Sequence, residues 1–208
     1  MTISEMPITD FLHQLAEKKP TPGGGASSAI TGAVAAATAA MALAYSVRPK
    51  SNPPDTAAAI DAARGVLASL AQQLAAAADE DAAAYARLNE LQKLPADDRR
   101  RSAEMGEAVL EATTVPLNAA RHACQILRIC DEMAELCNKW LISDLAIGAD
   151  LAEAAVRACA WNVRINLPQI TDEPTRAGLA AELDQQCNDA ADLHGRLHAA
   201  CAAAIMPG

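Results

Sequence analysis

Aromatic side chains are nearly missing: the 208 residues hold two Trp, two Tyr and one Phe. A core without large rings has to be filled by alanine and leucine, which suits helices lying close together. Basic charge is also short, with 17 Lys and Arg against 26 Asp and Glu and a net charge of −9. That balance excludes a nucleic-acid binder whose affinity rests on a cationic surface. β-Branched and aromatic residues never gather into an alternating run, so no strand is predicted and the expected fold is all-α. The six cysteines (Cys124, Cys130, Cys137, Cys159, Cys187, Cys201) include no Cys-x-x-Cys pair and no zinc-finger spacing. They are expected as reduced, buried, small apolar residues. His13, His122, His194 and His198 are scattered with no His-Glu-x-x-His pattern, and no metal site is expected. The start, Met1-Thr2-Ile3-Ser4-Glu5, lacks the charged and apolar regions of a signal peptide. A cytoplasmic location is the expectation, with residues 1–208 forming one domain.

What is present begins with Thr21-Pro22-Gly23-Gly24-Gly25-Ala26-Ser27-Ser28. Three glycines disfavour a helix, whereas Ala26 onward starts one well. A loop leading into a helix N-terminus leaves backbone N–H groups free for an anion or polar ligand. A flexible entry into a helix is the equally open alternative. No Gly-Lys-Ser/Thr follows and no strand precedes, so neither nucleotide-binding fingerprint applies. The run from Ala26 to Val47 is uncharged, but it is built of Ala, Ser and Thr without a basic N-terminal flank. A buried helix to about Tyr45 is expected rather than a membrane span. Its small residues Ser28, Gly32, Ala36, Ala40 and Ala44 share one face that another backbone can approach.

Around it, a short first helix is predicted from Thr9, as cap, to Lys18, burying Phe11, Leu12 and Leu15. The segment Arg48-Pro49-Lys50-Ser51-Asn52-Pro53-Pro54 is a break. Asp55 is expected to cap a long helix to Lys93, and Asp97 or Asp98 the next, with a kink at Pro116 and an end near Leu136. Arg99-Arg100-Arg101 oppose the dipole of that helix, which assigns them to partners or solvation. Ser143-Asp144 should cap the following helix, closed by Pro168. Asp172-Glu173-Pro174 starts the last, to about Ala204.

Two helices carry polar residues in apolar stripes. In the long helix the stripe reads Leu67, Leu70, Leu74, Ala78, Asp81, Tyr85, Leu88 and Gln92, with Asp79 and Glu80 directed away. A carboxylate there is costly unless paired, hydrogen-bonded or used. A solvated patch Asp79-Glu80-Asp81 is the competing reading. In the later helix the stripe Ile147, Leu151, Ala155, Ala158 continues into Asn162 and Asn166. Those amides need partners, on a neighbouring helix or on a ligand.

In order along the chain stand Thr21-Pro22-Gly23-Gly24-Gly25, Asp81-Ala-Ala-Ala-Tyr85, Leu94-Pro95, Val115-Pro116-Leu117, Ser143-Asp144-Leu145 and Asn162-Val163-Arg164-Ile165-Asn166-Leu167 with Ile170-Thr171-Asp172. This ordered set resembles the cyclodeaminase/cyclohydrolase family of folate enzymes. The resemblance implies an up-and-down bundle of long helices that forms a homodimer or a dimer of dimers, with tetrahydrofolate bound near the subunit interface. It implies no cofactor beyond the folate substrate. Two positions depart from the family pattern: Cys137 precedes Asn138 where glycine is usual, and Ala96 follows Leu94-Pro95 where lysine is usual.

The implied activity is hydrolysis of 5,10-methenyltetrahydrofolate to 10-formyltetrahydrofolate. Alternatives are formimidoyltetrahydrofolate cyclodeamination and, in another class, a non-catalytic scaffold or ligand-binding module. Asp81, with Asp144 second, is the candidate catalytic carboxylate. Candidate substrate contacts are Pro22, Gly23, Gly24, Gly25, Ser27, Arg48, Tyr85, Asn138, Ser143, Asn162 and Asn166.

Overall fold

A computed structural model describes residues 2–48 and 52–205. Pro49, Lys50 and Ser51 of the expected break lie outside the described residues. The described chain contains six α-helices and no strand: α1 Ile8–Leu15, α2 Gly24–Ala44, α3 Pro54–Lys93, α4 Arg99–Met133, α5 Ile142–Asn166 and α6 Glu173–Ile205. Short 3-10 turns occupy Ile3–Glu5, Ala134–Leu136 and Leu167–Gln169. The all-α expectation holds.

Helix α2 is the centre of the packing, lying between α3 and α5 and touching α4. Its composition allows this. Small side chains at Ala26, Ala29, Ala35, Ala36, Ala39 and Ala42 are fully buried, and two glycines allow close helix approach along its length. A Cβ on Gly32 would stand 3.2 Å from the Leu74 methyls, and one on Gly148 of α5 would stand 3.2 Å from the Ala35 carbonyl oxygen. Larger residues at these points would push the helices apart. Leucines on the neighbours fill what alanine leaves, with Leu43, Leu67, Leu74, Leu127 and Leu145 fully buried. Each such side chain contributes about 1.5–3 kcal/mol of transfer free energy. By length and composition α2 alone among the described helices could cross a membrane, yet half of it is buried inside the fold.

Several predicted boundaries shift. Helix α1 starts at Ile8 behind Pro7, so Thr9 is not its cap, and it stops at Leu15 rather than Lys18. Phe11 is buried, but Leu12 is 57% exposed. Helix α3 begins at Pro54, which places Asp55 inside the first turn instead of at the cap. Ser143 and Asp144 likewise lie inside the first turn of α5, behind Leu141. Asp98 does cap α4, accepting from the backbone N–H groups of Arg100 (2.8 Å) and Arg101 (3.0 Å). Asp172 accepts from Thr175 N–H at 2.9 Å at the start of α6. Two charged residues have structural partners that spacing did not suggest. Asp79 accepts from the Ile3 N–H at 2.5 Å and so ties down the N-terminal turn. Arg101 donates to the Leu94 carbonyl at 2.6 Å, satisfying an acceptor at the end of α3.

On α5 the buried stripe runs through Leu145, Gly148, Ala149, Ala152, Ala155, Val156, Cys159, Ala160 and Val163. Ile147, placed in the stripe by sequence, is 49% exposed. All six cysteines are free thiols, four of them buried and Cys137 and Cys187 half-buried.

Candidate active site

The N-terminus of α2 meets the middle of α3 at one point, and that point is Asp81. Helix α2 begins at Gly24, two residues before the sequence reading placed it, so Gly24 and Gly25 belong to its first turn. A Cβ built on Gly25 would overlap the Asp81 carboxyl group. Glycine is needed at position 25 because a carboxylate lies against its Cα. Burial pushes the Asp81 carboxyl above the usual aspartate range, and the Ala26 amide in the same turn opposes that shift. The positive end of a helix acts in the same direction as that amide. The result is a partly buried carboxyl whose pKa is raised and whose charged form is still held by peptide dipoles. Of the N–H groups from Gly24 to Ser27 expected to be free for an anion, two are engaged within the chain. Ser27 N–H is bonded to the Gly23 carbonyl at 3.0 Å, and the Ala26 amide faces the chain's own Asp81.

A cleft of about 460 Å³ opens from this contact, lined by Pro20, Thr21, Gly23, Gly24, Gly25, Asp81, Tyr85, Leu88, Gln92, Ala112, Asn162, Ile165, Asn166 and Gln169. Seven residues singled out from sequence are thus brought together: Gly23, Gly24, Gly25, Asp81, Tyr85, Asn162 and Asn166. Pro22 is buried beside them, joined to Thr21 by a cis peptide. Gln92 and Gln169 close one end, with Gln92 Nε2 donating to Gln169 Oε1 at 3.2 Å. Gln169 was missed; its place three residues after Asn166, on the same side of the chain as it leaves α5, was the available signal. Cys159, expected as a reduced, buried residue, is a buried free thiol beside Asp81. Its thiol is pushed up to about 12, by burial first and by the Asp81 carboxylate second, so at neutral pH it is an unreactive neighbour of that carboxylate.

The two amides differ in what holds them. Asn162 Nδ2 donates to the Ala158 carbonyl one turn back (3.1 Å) and lies 3.5 Å from Ser28 Oγ. Its Oδ1 faces Gly24. Asn166 Nδ2 donates across to the Ala112 carbonyl of α4 at 2.9 Å. Ala112 is four residues before Pro116, which lies buried inside α4 and has no N–H to offer that carbonyl. Asn166 replaces the missing helical hydrogen bond and fixes α5 to α4 beside the cleft. Helix-to-helix bonding, one of the two readings left open by the sequence, therefore describes Asn166 Nδ2.

The remaining predicted residues are elsewhere. Arg48, Asn138, Ser143 and Asp144 gather at the C-terminal end of α2, about 30 Å from the cleft at 1.5 Å per residue. There Asn138 N–H donates to Ser46 Oγ (2.8 Å) and its Nδ2 to the Tyr45 carbonyl (3.2 Å). Arg48 and Ser143 are exposed and Asp144 is half-buried. Within one chain none of these four can touch a ligand seated on Asp81. A groove over α4, about 840 Å³ and thus larger than the cleft, is lined by Asn118, Arg121, His122, Arg128 and Gln186 among others. It contains none of the predicted residues, and chemistry favours the smaller space around Asp81.

An all-helical protein with a carboxylate set under a glycine-started helix, in a cleft walled by amides, is the class that fold and site define. The chain matches the formiminotransferase-cyclodeaminase family over residues 7–185 and belongs to that family. It is 29% identical over 198 residues to the methenyltetrahydrofolate cyclohydrolase of Methylorubrum extorquens, covering 92% of this chain and 93% of that one. It is also 29% identical over 211 residues to the mouse formimidoyltransferase-cyclodeaminase, there spanning 37% of the relative's length. The crystal structure of formiminotetrahydrofolate cyclodeaminase from Thermotoga maritima superposes with a TM-score of 0.90 at 27% identity, over 98% of this chain and all of that one.

Proposed function

We propose that this protein hydrolyses 5,10-methenyltetrahydrofolate to 10-formyltetrahydrofolate, with Asp81 as the acid–base group. The observation carrying the proposal is the position of Asp81, a carboxyl raised by burial yet faced by the Ala26 amide in the first turn of α2. The methenyl carbon bridges N5 and N10 as a cation. A nearby carboxylate stabilises that charge and accepts a proton from the attacking water. The adduct then opens by cleavage of its bond to N5, which takes a proton from the same carboxyl group. One group serves both steps when its pKa lies near the working pH, and burial moves an aspartate in that direction. Asn162 Oδ1 and the Gln92–Gln169 amides offer donors and acceptors to the pterin edge and the linker. The match to a cyclohydrolase over 92% of this chain and 93% of that one supports this reaction.

A second reading, formimidoyltetrahydrofolate cyclodeamination, is favoured by the end-to-end likeness to a cyclodeaminase structure. It uses the same carboxyl: N10 attacks the formimino carbon, and ammonia leaves after protonation. Incubating the purified protein with each folate, and following methenyl absorbance and released ammonia, decides between them. Neither substrate reacting would reject both.

The proposal includes a homodimer, in the cytoplasm. Helix α2 carries no charged residue, and Val34, Met41 and Tyr45 leave its outward side apolar and exposed. A partner copy laid antiparallel along that side would bring its Arg48, Asn138, Ser143 and Asp144 towards this chain's cleft. Light scattering that gives a monomer mass at micromolar concentration would refute the pairing.

A further inference from the structure

The cleft has a carboxylate at one end and, among the described residues, no Lys or Arg in its lining. This becomes a requirement once the substrate is a folate, the reading on which the inference rests. Besides its cationic one-carbon bridge, a folate carries a benzoyl-glutamyl tail ending in carboxylates. With the bridge at Asp81, the tail has to run out along the cleft and find its counter-charge past the lining. The direction is set by α3, whose residues Asp81, Tyr85, Leu88 and Gln92 form one wall. From Asp81 to Gln92 is about 16 Å along the helix axis, and the wall ends at the Gln92–Gln169 pair.

The cations around the rim are not equally available. Lys19 sits on Glu17 at 2.5 Å, Arg87 on Glu107 and Glu111 at 2.6 and 2.8 Å, and Arg164 near Asp184 at 3.7 Å. Arg176 is paired with Glu173. Arg101 differs from these four. Its Nη1 rests on the carbonyls of Leu94 (2.6 Å) and Gln92 (3.5 Å), neutral acceptors that leave its charge uncompensated. Because Gln92 is itself a wall residue, the Arg101 guanidinium is anchored directly behind the end of the cleft. Two carbonyls fix its position while Nε and Nη2 retain N–H groups for a carboxylate.

We propose that Arg101 receives the glutamyl carboxylate of the folate substrate and so fixes which way the substrate lies in the cleft. The test compares 5,10-methenyltetrahydropteroylglutamate with the tail-less 5,10-methenyltetrahydropteroate. Wild type is expected to show the lower KM for the glutamyl substrate. Arg101→Gln should raise that KM about tenfold or more while the tail-less KM and both kcat values stay put, and Arg101→Lys should recover part of the loss. Uniform damage to both substrates in Arg101→Gln, tracking a lower melting temperature, would mean that the residue only ends α3 and would overturn the proposal. So would a tail preference lost in Lys19→Gln and kept in Arg101→Gln. Wild type using both substrates with one KM leaves the folate reading standing and removes the tail anchor. Wild type turning over neither methenyl substrate removes the cyclohydrolase reading and the tail anchor that rests on it.

Discussion

The two ends of α2 hold similar residues and have different chemistry. At the N-terminal end Asp81 is half-buried, burial raises its carboxyl, and the Ala26 amide in the first turn of α2 opposes that shift. At the C-terminal end Asp144 is half-buried in the first turn of α5, and the polar groups around it are largely engaged by backbone. Asn138, for example, donates to the Tyr45 carbonyl and accepts from the Trp140 N–H. A carboxylate becomes a usable proton carrier through the desolvation and dipoles around it, and at the N-terminal end both act on Asp81.

The largest effect should come from Asp81→Asn, which removes the transferable proton and keeps the shape. General acid–base catalysis accounts for roughly 10²–10⁴ in rate, so turnover should fall at least about a hundredfold on the preferred folate. Stability should move the other way. Because burial raises the folded-state pKa, the folded protein holds the proton more tightly than the unfolded chain. Stability is therefore lost as pH rises from the unfolded value, about 3.9, through the raised folded value. Asp81→Asn escapes that loss, so it should melt at or above wild type at neutral pH and converge with it in acid. Thermal melts at pH 3.5 and 7.5 check both limbs.

Gly25→Ala keeps the carboxylate and spoils its seat. The added Cβ must displace the Asp81 carboxyl, at a cost of about 1–3 kcal/mol for overpacking, and turnover should drop with it. An active Gly25→Ala enzyme of wild-type stability would show that the close contact of α2 with Asp81 is dispensable.

Asn166→Leu leaves the Ala112 carbonyl without a partner and should lower stability by about 1–3 kcal/mol. Combining it with Pro116→Ala, which restores an N–H to that carbonyl, should recover part of the loss. Additive effects in a double-mutant cycle of melts would contradict the link. At the far end of α2, Asp144→Asn should change turnover by less than about tenfold, a barrier difference under roughly 1.4 kcal/mol. A loss as deep as that of Asp81→Asn would erase the contrast between the two ends.

Asp81 was legible because three- and four-residue steps along α3 run through large leucines, and these leave little choice of face. Ile147 was misplaced on α5 because alanine stands on nearly every side of that helix, so periodicity carries little information about which side is buried. The work of Asn166 could not be read locally, since its acceptor lies 54 residues away and is unpaired only through a proline one turn further on. The split of the candidate residues between the two ends of α2 was equally hidden. Ordered sequence blocks say which residues belong together in a family, and only the packing of α3 and α5 on α2 says which share a cleft.

The central claim is that the proton is carried by a carboxyl lifted by burial at the head of α2. The most direct test is the pH dependence of kcat/KM for wild type, with the residual rate of Asp81→Asn measured over the same range. The account predicts an acidic limb inflecting above the ordinary aspartate value of about 3.9, with that limb absent from the Asp81→Asn profile. A limb that persists unchanged in Asp81→Asn would contradict it and pass the role to another group.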